Sequence, residues 1–174
     1  MGGERSLSVS CVSIGNPHAV LEVEDVAAAD VATLGPAIET HPAFPARTNV
    51  QFVESRLPNT LHVRSWERGV GETEACASGA AAAAIVALET GVLDPRPEHR
   101  SDEPGLPEVA SSRERDHRER PVRTIHVYLP GGRLDVAWAG GSESVFVEGP
   151  ANRVFSGAWV EGMTESVAPT TSGG

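Results

Sequence analysis

Residues 67–91 read ERGVGETEACASGAAAAAIVALETG, and the fold turns on their second half. From Ala75 to Thr90 the side chains are small or apolar almost all round, and Gly91 supplies a C-terminal stop, so this stretch is expected to be a helix. A helix without a polar face is a buried one. Its alanines let sheet strands approach closely, which places it at the centre of a curved sheet. At its doorstep stand a cysteine, a hydroxyl and glycines, with the charged pair Glu67-Arg68 a short turn upstream.

The flanking segments alternate as strands do. SVSCVSI (8–14) and AVLEV (19–23) read as two strands divided by the turn-forming Gly15-Asn16-Pro17-His18. A helix is expected at about 26–34, then an irregular proline-rich passage, GPAIETHPAFPAR. TNVQFVE (48–54) and LHVRSWE (61–67) alternate on either side of the Pro58-Asn59 turn. Further on, TIHVYL (124–129) and RLDVAWA (133–139) flank a glycine pair as a hairpin, followed by SVFVE (144–148) and a last extended run, RVFSGAWV (153–160). Residues 94–121 are dense in Pro, Arg, Glu and Asp with little to bury, which predicts a disordered loop, and 161–174 read as a flexible tail. The expected fold is mixed α/β (α+β), one domain built from 1–93 and 122–160 with a curved mixed sheet around the alanine-rich helix.

Composition narrows the function. The 174 residues, 40% of them hydrophobic, can bury one core. A formal charge of −10 repels polyanions, so no nucleic-acid partner is expected. All fourteen basic residues are arginine, which leaves no lysine for a Schiff base and rules out classical pyridoxal phosphate chemistry. No apolar run approaches the roughly 20 residues of a membrane span, and the first ten residues lack the features of a signal peptide, so a cytoplasmic protein without a membrane partner is expected. Cys11 and Cys76 are then expected as free thiols, with Cys11, inside an apolar strand, in the core. His99 and His117 lie in the 94–121 loop without the spacing of a metal site, and no metal is expected.

The chemistry gathers on Cys76. At the first turn of a helix, unpaired N–H groups and the positive end of the dipole favour a thiolate over a thiol. The N–H groups of Ala77, Ser78 and Gly79 would form a seat for a carboxylate or phosphate. A carboxylate held there places its own α-carbon near the sulfur, which suits proton abstraction beside a carboxyl group. Arg68 can grip a carboxylate with two parallel hydrogen bonds and Glu67 can accept from an ammonium group. Asn16, His18 and Asn49 each fit turn-making or capping, and the ring of His18 could also project into the site and tune a neighbouring thiol.

Five blocks occur in the order and spacing of diaminopimelate epimerases: GNPHAV (15–20), FPARTNVQFVE (44–54), WERGVGETEACASGAAAAA (66–84), LPGGRLDV (129–136) and EGPANRVFSG (148–157). The chain resembles the carboxyl-terminal half of that family. The resemblance implies one of two pseudo-symmetric halves, each a curved sheet wrapped on a central helix and each carrying one active-site cysteine. It implies interconversion of LL- and meso-diaminopimelate without cofactor, on the route to lysine and peptidoglycan precursors, one cysteine removing the α-proton and the other delivering one from the opposite face. By the same resemblance Cys76 is the catalytic cysteine of this half. Asn16, Asn49, Glu67, Arg68, Ala77 and Ser78 would bind substrate, and His18 and Glu67 would tune the thiol. Ala77 departs from the glycine that many members have there.

The family's first half, with a cysteine in a glycine-asparagine-rich motif, has no counterpart in this sequence, and Cys11 does not stand in for it. One base exchanges a proton on one face but completes no inversion unless a missing amino-terminal half or another chain supplies the second. Exposed strand edges near Val154, Phe155 and Trp159 would favour association, including a homodimer. Two alternatives keep the fold: a related isomerase of the proline-racemase kind, or a non-catalytic binding or assembly half-module. A Cys-His hydrolase is disfavoured because no nucleophile elbow surrounds Cys76.

Overall fold

The computed structural model describes residues 6–94 and 122–157. The predicted 94–121 loop past its first residue, with His99 and His117, the 161–174 tail and Trp159 lie outside the described residues. Eight strands form one mixed sheet: β1 (Ser10–Ser13), β2 (Pro17–Glu22), β3 (Asn49–Arg56), β4 (Thr60–Glu67), β5 (Gly71–Thr73), β6 (Arg123–Leu129), β7 (Gly132–Trp138) and β8 (Phe146–Glu148). Their spatial order is β1-β2-β3-β4-β6-β7-β8, with β5 paired to β4. The β2/β3 and β4/β6 pairs are parallel and the rest antiparallel. Each parallel pair is bridged by a helix, α1 (Val31–Glu39) in the first case and α2 (Ala77–Glu89) in the second.

The alanine-rich helix is central, as expected. α2 touches β1, β2, β3, β4, β6, β7 and β8, which one helix can do only if the sheet curls round it. Gly79, Ala80 to Ala84, Ala87 and Leu88 are buried, and Gly91 closes the helix at φ 73°. The alternation of each strand divides the core in two. Val20, Val53, Leu61 and Val63 face α2, whereas Ala19, Leu21, Val50, Phe52 and Trp66 pack with Val31 and Ile38 of α1 on the other face. The glycine-pair hairpin joins β6 to β7 with Leu129 opposite Gly132.

Two expectations are corrected. The helix expected at 26–34 begins later and runs through Pro36. Asp25 Oδ1 accepts the N–H groups of Ala27 and Ala28 in a turn, and Asp30 then caps a new start by accepting from Thr33 N. Part of the passage read as irregular is therefore helical. Gly35 presses on the Trp66 ring, where an added Cβ would lie 2.6 Å from the ring carbons.

Cys11 is exposed rather than core. It shares the α1 side of the sheet with its partner Ala19, but α1 packs over β3, β4 and β5 and leaves edge strand β1 uncovered on that face. The last extended run pairs with no strand over 153–157, and Val154 and Phe155, expected to lack a partner sheet, are 86% and 82% exposed. Beyond β8 no neighbouring strand among the described residues offers it a ladder.

Candidate functional site

Along the sheet rows that face α2, residue type changes from one end of the helix to the other. The rows read His18-Val20 on β2, Gln51-Val53 on β3 and Leu61-Val63-Ser65 on β4, apolar beside the body of α2 and polar beside its N-terminus. Register keeps the polar members together, since Gln51 pairs with both Val20 and Ser65, and His18 pairs with Asn49. Cys76, the N-cap of α2, closes this polar layer.

Cys76 is 6% exposed. Its backbone is extended and its Sγ accepts the N–H of Gly79 at 3.3 Å, the bond an N-cap side chain makes. Ser78 Oγ lies 3.6 Å from the same sulfur. The expected seat of three free amides is thus reduced to two: Gly79 N–H is taken by the cap, while those of Ala77 and Ser78 have no partner within the helix. Ala77 is exposed and Ser78 half-buried, at the helix end from which these donors project.

From Ser78 a run of side-chain bonds goes inward. Asn16 Nδ2 donates to Ser78 Oγ at 3.3 Å, Asn16 Oδ1 meets His18 Nε2 at 3.1 Å, and His18 Nδ1 meets Gln51 Oε1 at 3.0 Å. His18 belongs to β2 rather than to the turn before it, and is 1% exposed. Burial is the largest influence on its ring and pushes it toward the uncharged form, against the charge of Glu67, which favours imidazolium.

The remaining expected residues form a rim. Asn49 donates to Pro17 O at 3.0 Å and accepts from Arg68 N at 2.9 Å, tying the entrance of β2 to the end of β4. Glu67 Oε1 accepts from the Thr73 hydroxyl at 2.7 Å. Arg68 is exposed and rests one guanidinium nitrogen, Nη1, on Ala46 O at 3.0 Å. Its turn is held from below by Glu39, whose carboxylate accepts from Trp66 Nε1 at 2.7 Å and Gly69 N at 2.9 Å, with Arg47 Nη1 at 3.5 Å. These bonds, that of Trp66 first, hold the Glu39 carboxyl below the usual carboxylate range against the opposing pull of burial.

Sequence reasoning missed Gln51, Ser65 and Glu39. The first two were readable as polar residues two positions from a buried valine, Val53 and Val63, on the helix-facing beat of their strands. Glu39, in a passage taken as irregular, gave no such signal. Gln51 Nε2 and Ser65 Oγ are buried and have no hydrogen-bond partner among the described residues. Both approach Gly79, where an added Cβ would lie 2.8 Å from Gln51 Nε2, 3.1 Å from Cys76 Sγ and 3.2 Å from Ser65 Oγ.

The family model of diaminopimelate epimerase matches residues 10–103. A diaminopimelate epimerase of Desulforudis audaxviator is 42% identical over 158 residues, covering 91% of this chain and 47% of that protein. One from Cyanothece sp. is 41% identical over 155 residues, covering 89% and 45%. The chain therefore spans about half the length of the curated relatives it matches. Among solved structures, a phenazine biosynthesis protein of the PhzF family from Bacillus anthracis aligns over 75% of this chain and 34% of its own at 13% identity, with a TM-score of 0.43.

Proposed function

The chain belongs to the diaminopimelate epimerase family, and from that premise we propose that it carries one of the two proton-transfer centres of a cofactor-independent epimerase acting on diaminopimelate. The observation that supports this most is the seat of Cys76, a sulfur at a helix N-cap that accepts from Gly79 N–H and lies beside the Ser78 hydroxyl.

In this reading the substrate α-carboxylate binds the outward N–H groups of Ala77 and Ser78 at the start of α2. The Cys76 thiolate takes the α-proton, so that the Cα–H bond breaks, an S–H bond forms, and the electron pair left on Cα is drawn into the carboxylate at the positive helix end. Arg68 grips a carboxylate and Glu67 accepts from an ammonium group, the pairing that a zwitterionic substrate end calls for and that favours diaminopimelate over proline. His18 acts on the sulfur through Asn16 and Ser78. Inversion needs a proton from the opposite face, which falls to a second cysteine in a partner half.

The test follows α-hydrogen exchange of diaminopimelate with deuterated water by mass spectrometry, for the chain alone and with a first-cysteine half added. Deuterium should enter only with Cys76 present, and stereochemical inversion should appear only when the partner half is added. Cys76→Ser should abolish exchange, and exchange at an undiminished rate would remove Cys76 from the mechanism. The exposed Phe146, Val154 and Phe155 suit the alternative of an assembly module. That reading predicts ligand-induced thermal stabilisation without exchange, whatever chain is added.

A further inference from the structure

We infer that Gln51 is a positioning residue that fixes His18 as its Nε2–H tautomer and thereby points the hydrogen-bond chain through Asn16 and Ser78 at the Cys76 sulfur. An uncharged imidazole has one N–H donor and one acceptor nitrogen. His18 is buried, and burial favours that uncharged form. Yet its two ring nitrogens both face amide oxygens, Gln51 Oε1 at 3.0 Å and Asn16 Oδ1 at 3.1 Å. One of the two amides must therefore present its nitrogen instead.

Hydrogen-bond accounting selects Gln51. Its Nε2 is buried with no acceptor, and an orphaned buried N–H is rarer than an under-satisfied carbonyl. Turning this amide end over end keeps its shape, lets Nε2 donate to His18 Nδ1, and lets the ring donate from Nε2 to Asn16 Oδ1. The turned amide then leaves an under-satisfied carbonyl oxygen beside Gly79 in place of an orphaned N–H group, the less costly of the two. Turning Asn16 instead would satisfy the ring but leave Gln51 Nε2 orphaned.

With Gln51 turned, every later link already runs the right way. Asn16 Nδ2 donates to Ser78 Oγ at 3.3 Å, which leaves the Ser78 hydrogen for Cys76 Sγ, and Gly79 N–H meets the same sulfur at 3.3 Å. The sulfur then accepts twice, as a proton-abstracting atom should before it acts. Gln51 lies this close only because residue 79 has no Cβ. Glu67, bonded to Thr73, is the charged side chain whose field reaches His18, and Cys76 is the other titratable group on this hydrogen-bond path.

The tautomer itself needs no substrate; its consequence for proton transfer rests on the proposed function. The test is 15N NMR of the histidine ring nitrogens in the full chain at neutral pH, with His18 identified by the signals lost in His18→Gln. Wild type should show an unprotonated Nδ1 and a protonated Nε2. Gln51→Glu, whose carboxylate only accepts, should protonate Nδ1. Gln51→Met should remove the bias, mixing the two forms and slowing iodoacetamide alkylation of Cys76 several-fold while exposed Cys11 reacts as before. If the buried carboxylate unfolds the first variant, the methionine variant carries the test. A protonated Nδ1 in wild type, or a methionine variant with unchanged ring signals and unchanged Cys76 rate, overturns the inference. Substrate deuteration is read separately, so the correct tautomer without exchange would sink the epimerase reading alone, and exchange with the opposite tautomer would sink only this one.

Discussion

Cys11 and Cys76 exchange the surroundings that their neighbouring residues suggest. Cys11 sits in the apolar run SVSCVSI and is exposed; Cys76 follows a glycine-rich, acidic turn and is 6% exposed. The difference lies in what covers each face of the sheet. β1 is an edge strand, and the helix on the Cys11 side packs over β3 to β5 and does not reach it. Cys76 caps a helix around which the sheet curls, and its sulfur approaches Gly79 beside Gln51 and Ser65. A cysteine's burial is set by the element that lies over it rather than by the hydrophobicity of its immediate neighbours. Added volume should therefore cost stability in the Cys76 layer that it would not cost beside Cys11.

The largest effect is expected where the polar layer meets α2. Gly79→Ala adds a Cβ 2.8 Å from Gln51 Nε2, with Cys76 Sγ and Ser65 Oγ within 3.2 Å. All three neighbours belong to buried residues, so none can move into solvent. Overpacking of this kind costs typically 1–3 kcal/mol. Against it, alanine gains up to about 1 kcal/mol of helix propensity over glycine. The clash should win, giving a net loss of about 2 kcal/mol, read as a lower urea midpoint at unchanged slope. A variant at least as stable as wild type would mean that the layer is looser than its distances imply.

That layer also marks how far the sequence could be read. The central helix, its stop at Gly91 and the β6/β7 hairpin were legible because period and turn chemistry are local signals. So was the gathering of Cys76, Ser78, Asn16 and His18, which meet in one run of contacts. The start of α1 was not, because Asp25 and Asp30 are both good caps and only packing chooses between them. Nor was the exposure of Cys11, which depends on where α1 ends in space. Gln51 and Ser65 were readable only once the helix-facing beat of β3 and β4 was known, because an alternating strand does not say which of its faces meets the helix.

A smaller effect belongs to Glu39, which steadies the Glu67-Arg68-Gly69 turn above the Cys76 mouth and has no counterpart near Cys11. Its carboxyl is held below the usual value of 4.5, chiefly by the Trp66 N–H and also by Gly69 N–H and Arg47. A carboxyl whose folded-state value is depressed contributes stability that is fully present above its unfolded value and is lost as pH falls through the folded one. Stability should therefore decline as pH drops below about 4.5. Glu54 and Asp135 are depressed as well and add to the same slope, so the comparison must be with Glu39→Gln. That variant should lose about 1 kcal/mol at pH 7, where an amide nitrogen meets one of the donors in place of an oxygen, and should show a shallower acid slope. Parallel curves for the two proteins would assign the slope elsewhere.

The smallest stability effect, and the sharpest comparison, comes from replacing each cysteine by serine. Cys11→Ser changes one exposed atom on an uncovered edge and should stay within about 0.5 kcal/mol of wild type. Cys76→Ser should also be nearly neutral despite its burial, for a different reason: serine is among the best N-cap residues and can accept the Gly79 N–H that sulfur accepts now. If both variants melt with wild type, capping alone gives no reason for sulfur at position 76, since oxygen would cap at least as well. What oxygen does not supply is the readiness of a sulfur to give up and take back a proton. Equal stability in the two variants, with substrate deuteration lost only in Cys76→Ser, would separate a sulfur kept for chemistry from one merely carried on an edge strand; a marked destabilisation by Cys76→Ser would instead make the sulfur a packing atom.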